Sequence, residues 1–326
     1  MKNRWIIILL CLSAAQGAWA WNGRLHMDIT RAAAKAEPED MAAWQDYGKV
    51  LARYSIFPDL WKGDDRSEGQ HHYIDLERYR PLAATNLPAS LNEVEALIGH
   101  RPTAGDGMAP WSIMELQRRL TAAMATNDWV LAARLATTLG HYVADIHQPL
   151  HTTENFDGAS GAAAGVHLRW EDGMPRMFWR SSMLVPGQPE YLDNPRLAVL
   201  QWVADSHALF DPVLAADREA AKASGSVESR VYFRMLWQKT QDIFTKQADA
   251  AATHLASLWY TAWVDAGRPP IPEPPAELPE GSVWELSRKK VVPSAAPFLG
   301  VFAVVGLIVV LLSVLRSRKP GSPPKP

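Results

Sequence analysis

The sequence predicts an all-α fold in which a single multi-helix domain is followed by a C-terminal transmembrane helix. Apolar residues recur with a helical period through most of residues 21–267, whereas the alternation of apolar and polar residues that is typical of strands is scarce. The sequence of this body contains no internal repeat and no sign of a second domain. An uncharged stretch, residues 291–315, is long enough to cross the hydrocarbon core of a bilayer.

Residues 1–20 are expected to be a signal peptide. Two basic residues precede a short apolar run, and an Ala-Trp-Ala pattern ends at residue 20, where signal peptidase would cleave and leave Trp21 as the first mature residue. The only cysteine, Cys11, lies in this leader, so the mature protein would have no disulfide and no cysteine metal ligand. An uncleaved N-terminal anchor is the alternative, although so short an apolar run spans a bilayer poorly.

Four stretches of helical period predict the main helices of the body: 111–124, 129–146, 196–214 and 231–263. Asp128 can cap the second of these helices, and Asn194 followed by Pro195 can open the third, with proline in the first helical turn. Loops are expected near residues 56–72 and 147–166.

Behind the body, residues 268–290 form a proline-rich spacer that is expected to be extended. Residues 291–315 would form the transmembrane helix, and residues 316–326 a basic tail. Since a cleaved leader places the body outside the cytoplasm, we expect a periplasmic or other extracytoplasmic domain that the C-terminal helix anchors in the membrane. Removal of the tail as a sorting signal is the alternative.

The charge of the body restricts how it could bind a polyanion. Of the 33 lysines and arginines, two lie in the leader and seven from Arg288 onward, which leaves 24 against all 35 acidic residues. Such an acidic body does not attract nucleic acid through its overall field. If its substrate is a phosphodiester, bound cations must supply the local positive charge.

Histidines and carboxylates with the spacing of metal ligands begin at residue 141. His141 and Asp145 are four residues apart and would share one helical face, and His151 follows a proline that must end or bend the helix. His167 and Glu171 repeat the four-residue spacing. Either pair alone would more often be a solvated helix pair, but together with His151 they form a set of nitrogen and oxygen donors that suits Zn²⁺.

Further candidate ligands lie upstream, in stretches with little helical patterning. Asp59 and the segment from His71 to Asp75 add carboxylates and imidazoles in a predicted loop, where functional sites are common. The mature N-terminus would offer the free amine and the carbonyl oxygen of Trp21 as a chelating pair, and His26 could complete a site. Cleavage of the leader would then be a chemical requirement for that metal ion.

Together these positions resemble the trinuclear-zinc phosphodiesterase superfamily, which comprises the single-strand nucleases of the S1/P1 type and the bacterial zinc-dependent phospholipases C. The resemblance covers nearly all of residues 21–171 and rests on these ligand positions in chain order: Trp21, His26, Asp59, His72, His141, Asp145, His151, His167 and Glu171. It implies an all-α domain of the phospholipase C/nuclease type and a zinc-dependent phosphodiester hydrolase.

The resemblance also implies how three zinc ions are bound. The first is assigned to Asp59, His72, His141 and Asp145. The second is assigned to His151, His167 and Glu171. The third is assigned to the amine and carbonyl of Trp21, to His26 and to a shared Asp145. His72 is preferred to His71, because the family ligand stands directly before an aromatic-x-Asp segment. The other histidines are expected to have structural roles: His100, His147, His207 and His254.

The zinc ions imply a mechanism in which water between two of them supplies hydroxide at neutral pH. Asp59 is the candidate to orient or deprotonate that water. Lys62 stands where the nucleases carry an arginine, and it could contact the phosphate as a point charge. A solvated loop lysine is an equally good interpretation of Lys62.

The choice between nuclease and phospholipase C depends on few residues. Tyr73 could stack on an unpaired base whose edge is bound by Asp75, although Tyr73 could instead pack and Asp75 could cap. Glu171 stands where the nucleases usually have Asp and the phospholipases C have Glu, and a membrane anchor would hold the body near phospholipid. The sequence from Gln148 to His151 is more similar to bacterial nucleases.

We therefore expect an endonuclease for single-stranded DNA or RNA that could also act on 3′-nucleotides, without an obligate protein partner. Phospholipase C and a non-catalytic zinc-binding protein are the alternatives. The histidine-rich tracts that would favour zinc storage are not found in the sequence.

Overall fold

The computed structural model of the protein describes residues 21–65, 67–158 and 164–285. Its α-helices are α1 (Gly23–Ala36), α2 (Gly48–Tyr54), α3 (Phe57–Trp61), α4 (Leu91–Ile98), α5 (Ala109–Ala125), α6 (Trp129–Ile146), α7 (Val166–Leu168), α8 (Met174–Phe178), α9 (Pro195–His207), α10 (Phe210–Ser224) and α11 (Arg230–Asp265). A π-helical turn, Arg169–Gly173, joins α7 to α8. Short 3₁₀ helices lie at Glu39–Tyr47, Gly69–His71, Leu76–Tyr79, Ala84–Asn86, Ala104–Asp106, Pro149–Thr152 and Ser181–Met183.

Helix α6 is at the centre of the domain. Every residue from Ala132 to Ile146 is buried, and the helix packs against α1, α2, α5 and α11. The predicted cap is confirmed, because the Asp128 carboxylate accepts a hydrogen bond from the backbone N–H of Leu131 at 3.1 Å. A cap of this kind satisfies a helix donor that has no partner in the helix, and it contributes about 1 kcal/mol.

Helices α5, α6 and α11 lie where the apolar pattern predicts them, but one predicted helix is in fact two. The pattern over 196–214 is continuous, whereas α9 ends at His207 and α10 begins at Phe210. Pro212 lies in the first turn of α10, where its missing N–H is tolerated. In a continuous helix its ring would clash with the carbonyl of Ala208, so the chain interrupts the helix before the proline.

The predicted fold class needs a correction. The structure is an all-helical, single multi-helix domain, but no helix within its described residues is both long enough and apolar enough to cross a membrane. The longest helix, α11, has 36 residues and carries charged side chains such as Arg234, Lys246 and Asp249. The predicted transmembrane helix, 291–315, lies outside the described residues. The fold class is therefore corrected to an all-helical, single multi-helix domain, and nothing in the described residues supports the predicted membrane anchor or membrane partner.

The chain divides into one compact unit that ends at Glu280 and a second that begins at Gly281. In the first unit, residues 268–280 form no helix or strand. They contact the helical body, since the indole N–H of Trp263 donates to the carbonyl of Pro269 at 2.9 Å and the side chain of Leu278 is buried. The predicted signal peptide and basic tail lie outside the described residues, and the boundary at residue 267 remains a prediction.

Candidate metal centre

The C-terminal half of α6 supplies two of the predicted ligands. His141 and Asp145 are one helical turn apart and completely buried. The helix ends at Ile146, because Pro149 cannot continue it, and the 3₁₀ helix Pro149–Thr152 then presents His151 to the same region. The other predicted ligands reach this place from α1, α3, the end of the 3₁₀ helix Gly69–His71 and the turn around residue 170.

Four side chains form what we call the Asp59 group: Asp59, His72, His141 and Asp145. The Nδ1 atom of His72 lies 2.8 Å from Asp145 Oδ2 and 3.1 Å from His141 Nε2. His141 Nε2 lies 3.4 Å from Asp145 Oδ2 and 3.6 Å from Asp59 Oδ1. Tetrahedral zinc with bonds of about 2.0–2.1 Å separates its ligand atoms by about 3.3–3.4 Å, so the group fits one ion.

Three side chains form the Glu171 group: His151, His167 and Glu171. Glu171 Oε2 lies 2.9 Å from His167 Nε2 and 3.4 Å from His151 Nε2. His167 is in α7 and Glu171 is in the π-helical turn that follows it directly. Their four-residue spacing therefore places both side chains on the same side of the helical segment. The three donor atoms lie within the reach of one metal ion.

The His26 group comprises Trp21, His26 and Asp145. His26 Nε2 lies 3.5 Å from Asp145 Oδ1, and the His26 ring stacks on His141 with centroids 3.9 Å apart. Asp145 therefore presents Oδ1 to His26 and Oδ2 to the Asp59 group.

The side chain of Trp21 fixes the start of the described chain beside these ligands. Its indole N–H donates to the carbonyl of Ala144 at 2.8 Å, and its ring contacts Phe244 with centroids 4.7 Å apart. The backbone N–H of the next residue, Asn22, donates to the carbonyl of Glu171 at 3.2 Å. The role of the Trp21 amine and carbonyl as metal ligands remains a prediction.

Unpaired polar atoms test whether these residues suit a metal. Among the described residues, eight buried nitrogen and oxygen atoms of the three groups have no hydrogen-bond partner: His26 Nδ1 and Nε2, Asp59 Oδ2, His72 Nε2, Asp145 Oδ1, His151 Nε2, His167 Nε2 and Glu171 Oε1. Burying polar atoms without partners costs about 1–3 kcal/mol each, so their clustering requires compensation. A mixed set of imidazole and carboxylate donors is the set that zinc binds.

Backbone carbonyls orient two of the histidines for this purpose. His141 Nδ1 lies 2.6 Å from the carbonyl of Ser55, and His151 Nδ1 lies 2.9 Å from the carbonyl of His72. A carbonyl can only accept, so each Nδ1 carries the proton and each Nε2 keeps a free lone pair that faces its group. Hydrogen bonds of this kind typically fix the tautomer of metal-binding histidines.

The ionisation of the buried groups also favours a bound cation. Burial lowers the pKa of His26, His72 and His151, which keeps their imidazoles neutral and able to bind a metal. Burial also opposes ionisation of Asp59, but nearby His141 and Lys62 hold its pKa well below the usual range. Burial and the charge of Asp59 raise the pKa of Asp145. Two buried carboxylates that repel each other are stabilised when a cation binds between them.

Lys62 lies directly beside the Asp59 group. Its ammonium donates to Asp59 Oδ1 at 2.8 Å, and 22% of its side chain is exposed. The residue is the C-cap of α3, one turn after Asp59. Its position gives the centre one fixed positive charge that also faces solvent.

Tyr73 and Asp75 follow His72 along the edge of the centre. Tyr73 is half-buried, and Gly107 packs against its backbone so closely that an added Cβ would lie 2.3 Å from the Tyr73 carbonyl oxygen. Asp75 is buried, and its side chain makes no capping hydrogen bond to the helix that follows. Burial, together with the charges of Glu77 and Glu154, raises the pKa of Asp75 to about 7.

Three supporting residues were not predicted as part of the site: Gln148, Glu68 and Tyr142. The Gln148 amide donates to Glu171 Oε2 at 3.1 Å. Glu68 is completely buried, accepts a hydrogen bond from the Tyr142 hydroxyl and lies 3.6 Å from His72 Nε2. Glu68 and His72 have the four-residue spacing of the other ligand pairs, and this spacing is the signal that could have identified Glu68.

The remaining histidines of this region have partners away from the three groups. His71 Nδ1 lies 2.7 Å from the Ser112 hydroxyl. His147 Nδ1 donates to the carbonyl of Val143 at 2.7 Å, and its Nε2 lies 2.7 Å from His254 Nδ1. These contacts tie loops and helices together around the centre.

Comparison with known proteins identifies the family of the chain. The model of the S1/P1 Nuclease family matches residues 24–260, which includes every predicted ligand except Trp21. No individual curated protein matches the chain. The matched region is the helical body that brings the Asp59, Glu171 and His26 groups together.

Proposed function

Since the chain belongs to the S1/P1 nuclease family, whose members hydrolyse phosphodiester bonds, we propose that it is a zinc-dependent endonuclease for single-stranded DNA or RNA. The observation that carries this proposal is that three donor groups, two of which share Asp145, contain buried atoms without hydrogen-bond partners among the described residues. Activity on 3′-nucleotides would require no further machinery. Family membership and the leader sequence also support an exported protein.

We propose that each of the three groups binds one zinc ion. The Asp59 group would hold one ion and the Glu171 group a second. The His26 group would hold a third, with the amine and carbonyl of Trp21 completing its ligands once the leader is removed. Bound there, the ions would lower the pKa of water and offset negative charge on the phosphate.

The residues around the ions would position the reactants. Among the described residues Asp59 Oδ2 has no hydrogen-bond partner, so it can accept one from an attacking water. Lys62 holds the other oxygen of Asp59, and its ammonium can at the same time offer a proton donor to a phosphate oxygen. As a point charge, lysine provides no bidentate fork, so it constrains the phosphate less than arginine would.

Recognition of the base is assigned to Tyr73 and Asp75. Tyr73 is half-buried, and its aromatic ring is of the kind on which an unpaired base can stack. Asp75 can exchange hydrogen bonds with the edge of that base. Since Asp75 has a pKa of about 7, it can donate when protonated and accept when ionised.

Phospholipase C remains the second candidate because of apolar side chains beside the ligands. Leu60 is 46% exposed, Phe156 is 42% exposed and Leu168 is 39% exposed. Leu60 follows Asp59, Leu168 follows His167, and the Phe156 ring lies against His167. An exposed apolar rim of this kind could also receive the glycerol and acyl part of a phospholipid.

The deciding experiment uses the protein purified with Trp21 as its first residue. Single-stranded DNA, single-stranded RNA, 3′-nucleotides and phosphatidylcholine are assayed in parallel, with chelator and with added zinc. We expect chelator-sensitive cleavage of nucleic acid without lipid turnover. Lipid turnover alone would place the protein with the phospholipases C, and zinc binding with neither activity would indicate a non-catalytic protein.

A pair of variants connects the activity to the proposed centre. His151→Ala removes a ligand of the Glu171 group and should abolish cleavage. His100→Ala removes an exposed histidine outside the three groups and should leave cleavage unchanged. Equal activity of the two variants would refute the assignment.

A further inference from the structure

His72 can serve as a metal ligand in only one of its two neutral forms. Its Nδ1 atom faces the Asp59 group, 2.8 Å from Asp145 Oδ2 and 3.1 Å from His141 Nε2. To bind a metal, Nδ1 must be unprotonated, so the proton of the neutral ring must be on Nε2. The other tautomer would place the proton on Nδ1, where it would donate to Asp145 and block the site.

The far side of the His72 ring differs from that of the neighbouring ligands. His141 and His151 each direct the second ring nitrogen at a backbone carbonyl. His72 instead directs Nε2 at the carboxylate of Glu68, with 3.6 Å between Nε2 and Oε1. At this distance the two groups interact by charge, because 3.6 Å is slightly longer than a hydrogen bond. A small tilt of the imidazole would bring Nε2 within hydrogen-bonding distance of Oε1.

The position of Glu68 is fixed by its surroundings. Its side chain is completely buried, and the hydroxyl of Tyr142 donates to Oε1. Tyr142 follows His141 in α6, so the same helix that carries two ligands also holds Glu68. A buried carboxylate is costly unless a charge or a strong donor faces it. An imidazole whose Nδ1 is bound to a cation has a more acidic Nε2–H, which makes it a strong donor for the Glu68 carboxylate.

We infer that Glu68 is a positioning residue that holds the proton of His72 on Nε2 and thereby keeps Nδ1 available to the metal of the Asp59 group. Glu68 does not itself contact substrate or metal. The inference rests on the proposed zinc centre, because it assigns to that centre a buried carboxylate outside the ligand set. Supporting carboxylates of this kind typically contribute 10-fold to 100-fold in metal affinity.

The test compares zinc binding by the purified protein and by Glu68→Gln. The amide keeps an oxygen that can accept from Tyr142, but it removes the charge that faces His72. Competition against a chromogenic zinc chelator should show one site weakened by about 10-fold to 100-fold, with the remaining sites unchanged. Glu37→Gln is the matched control, since Glu37 is also a buried carboxylate and has no contact with the three groups. Its zinc affinities should equal those of the parent protein.

The outcomes separate this inference from the proposed function. If the parent protein binds no zinc, the proposed centre itself is wrong. If the parent protein binds zinc and Glu68→Gln binds it equally well, only the role of Glu68 is wrong.

A second measurement needs no variant and applies even if Glu68→Gln fails to fold. In zinc-loaded protein labelled with ¹⁵N-histidine, the Nε2 proton of His72 should be strongly deshielded and protected from exchange, as expected for a proton held by a carboxylate. An unshifted, rapidly exchanging proton would overturn the inference.

Discussion

Asp145 is the side chain that the Asp59 and His26 groups have in common. Its Oδ2 atom lies 2.8 Å from His72 Nδ1, and its Oδ1 atom lies 3.5 Å from His26 Nε2. An ionised carboxylate has lone pairs on both oxygens and can serve two cations at once, whereas an amide accepts through one oxygen only. His167 belongs to the Glu171 group alone.

We therefore expect Asp145→Asn to lose two zinc ions and His167→Ala to lose one. The zinc content of each desalted protein can be measured by elemental analysis beside that of the parent protein. The hydrolysis rate of Asp145→Asn should fall by at least about 10²–10³-fold, because the groups that stabilise charge on the phosphate lose their cations. Loss of the same number of ions from both variants would show that Asp145 is not shared.

Asp75 should make the stability of the fold depend on pH. Its folded pKa of about 7 is raised above the unfolded value of about 3.9, chiefly by burial. Asp75 therefore binds its proton more tightly in the folded state than in the unfolded state. Its ionisation lowers the free energy of unfolding as pH rises from about 4 to above 7. Asp75→Asn removes that cost, so the Tm of the variant minus that of the parent should be larger at pH 8 than at pH 5.

Thermal melts at the two pH values, with equal zinc, measure this difference. Asp193→Asn serves as the control, since Asp193 is an exposed residue before α9. A Tm difference for Asp75→Asn that does not change with pH would contradict the assigned ionisation.

At the scale of elements, the centre combines one long helix with several short turns. Helix α6 fixes His141 and Asp145 rigidly, while α3, the 3₁₀ helices and the π-helical turn bring in the remaining side chains. A π-helical turn contains one residue more than an α-helical turn, and such turns are frequent at functional sites. The loop that carries Tyr73 is held by the isolated bridge between Ile74 and Gly107.

Gly107 should tolerate substitution less well than Gly99, another glycine with a positive φ. Gly99 has φ 82° and ψ 5°, in the left-handed helical region, where alanine costs about 1–2 kcal/mol. Gly107 has φ 74° and ψ 151°, in a region that is essentially restricted to glycine. An added Cβ meets nothing within 4 Å at Gly99, but at Gly107 it would lie 2.3 Å from the Tyr73 carbonyl oxygen. Gly107→Ala should therefore be destabilised more in urea unfolding and should also raise KM, because Tyr73 must move. Equal effects of the two substitutions would mean that the close approach is unimportant.

The long elements and the ligands could be predicted from sequence because both depend on local spacing. The period of α5, α6 and α11 and the four-residue spacing of His141 and Asp145 can be read along the chain. The break between α9 and α10 was missed because the apolar period continues through it, although Pro212 was the physical signal.

Other features could not be predicted because they depend on contacts between distant residues. The burial of Glu68 beside His72 arises only when Tyr142 of α6 packs against that loop. The choice of a π-helical turn around Glu171 likewise depends on tertiary packing. Arg169, the first residue of that turn, donates to the Tyr232 hydroxyl and to Asp217 Oδ1, both at 2.9 Å.

At the scale of the whole molecule, the three groups connect most of the fold. They join α1, α3, α6 and the π-helical turn, which are far apart in sequence. The Asp59 and Glu171 groups also meet through the backbone, where His151 Nδ1 donates to the carbonyl of His72. Metal ions bound to these groups would therefore act as cross-links within one domain.

Removing zinc should lower the thermal stability of the protein substantially. A ligand at 100 times its Kd stabilises the folded state by about 2.7 kcal/mol. For a domain of this size, that corresponds to roughly 5–10 °C in Tm for each ion lost. Calorimetry before and after dialysis against chelator measures the change, and added zinc, but not added magnesium, should restore the original Tm. A Tm that does not respond to chelator would contradict a structural contribution from the metals.

The burial of α6 has a further consequence for the lifetimes of the bound metals. Backbone amides in so enclosed a helix are expected to exchange their hydrogens only when the whole domain opens, whereas short helical turns with few hydrogen bonds of their own open locally at lower free energy. His151, His167 and Glu171 all lie on such short segments, while His141 and Asp145 lie within α6. The ion of the Glu171 group should therefore dissociate and be replaced first, and the ion held from α6 should stay with the protein until it unfolds.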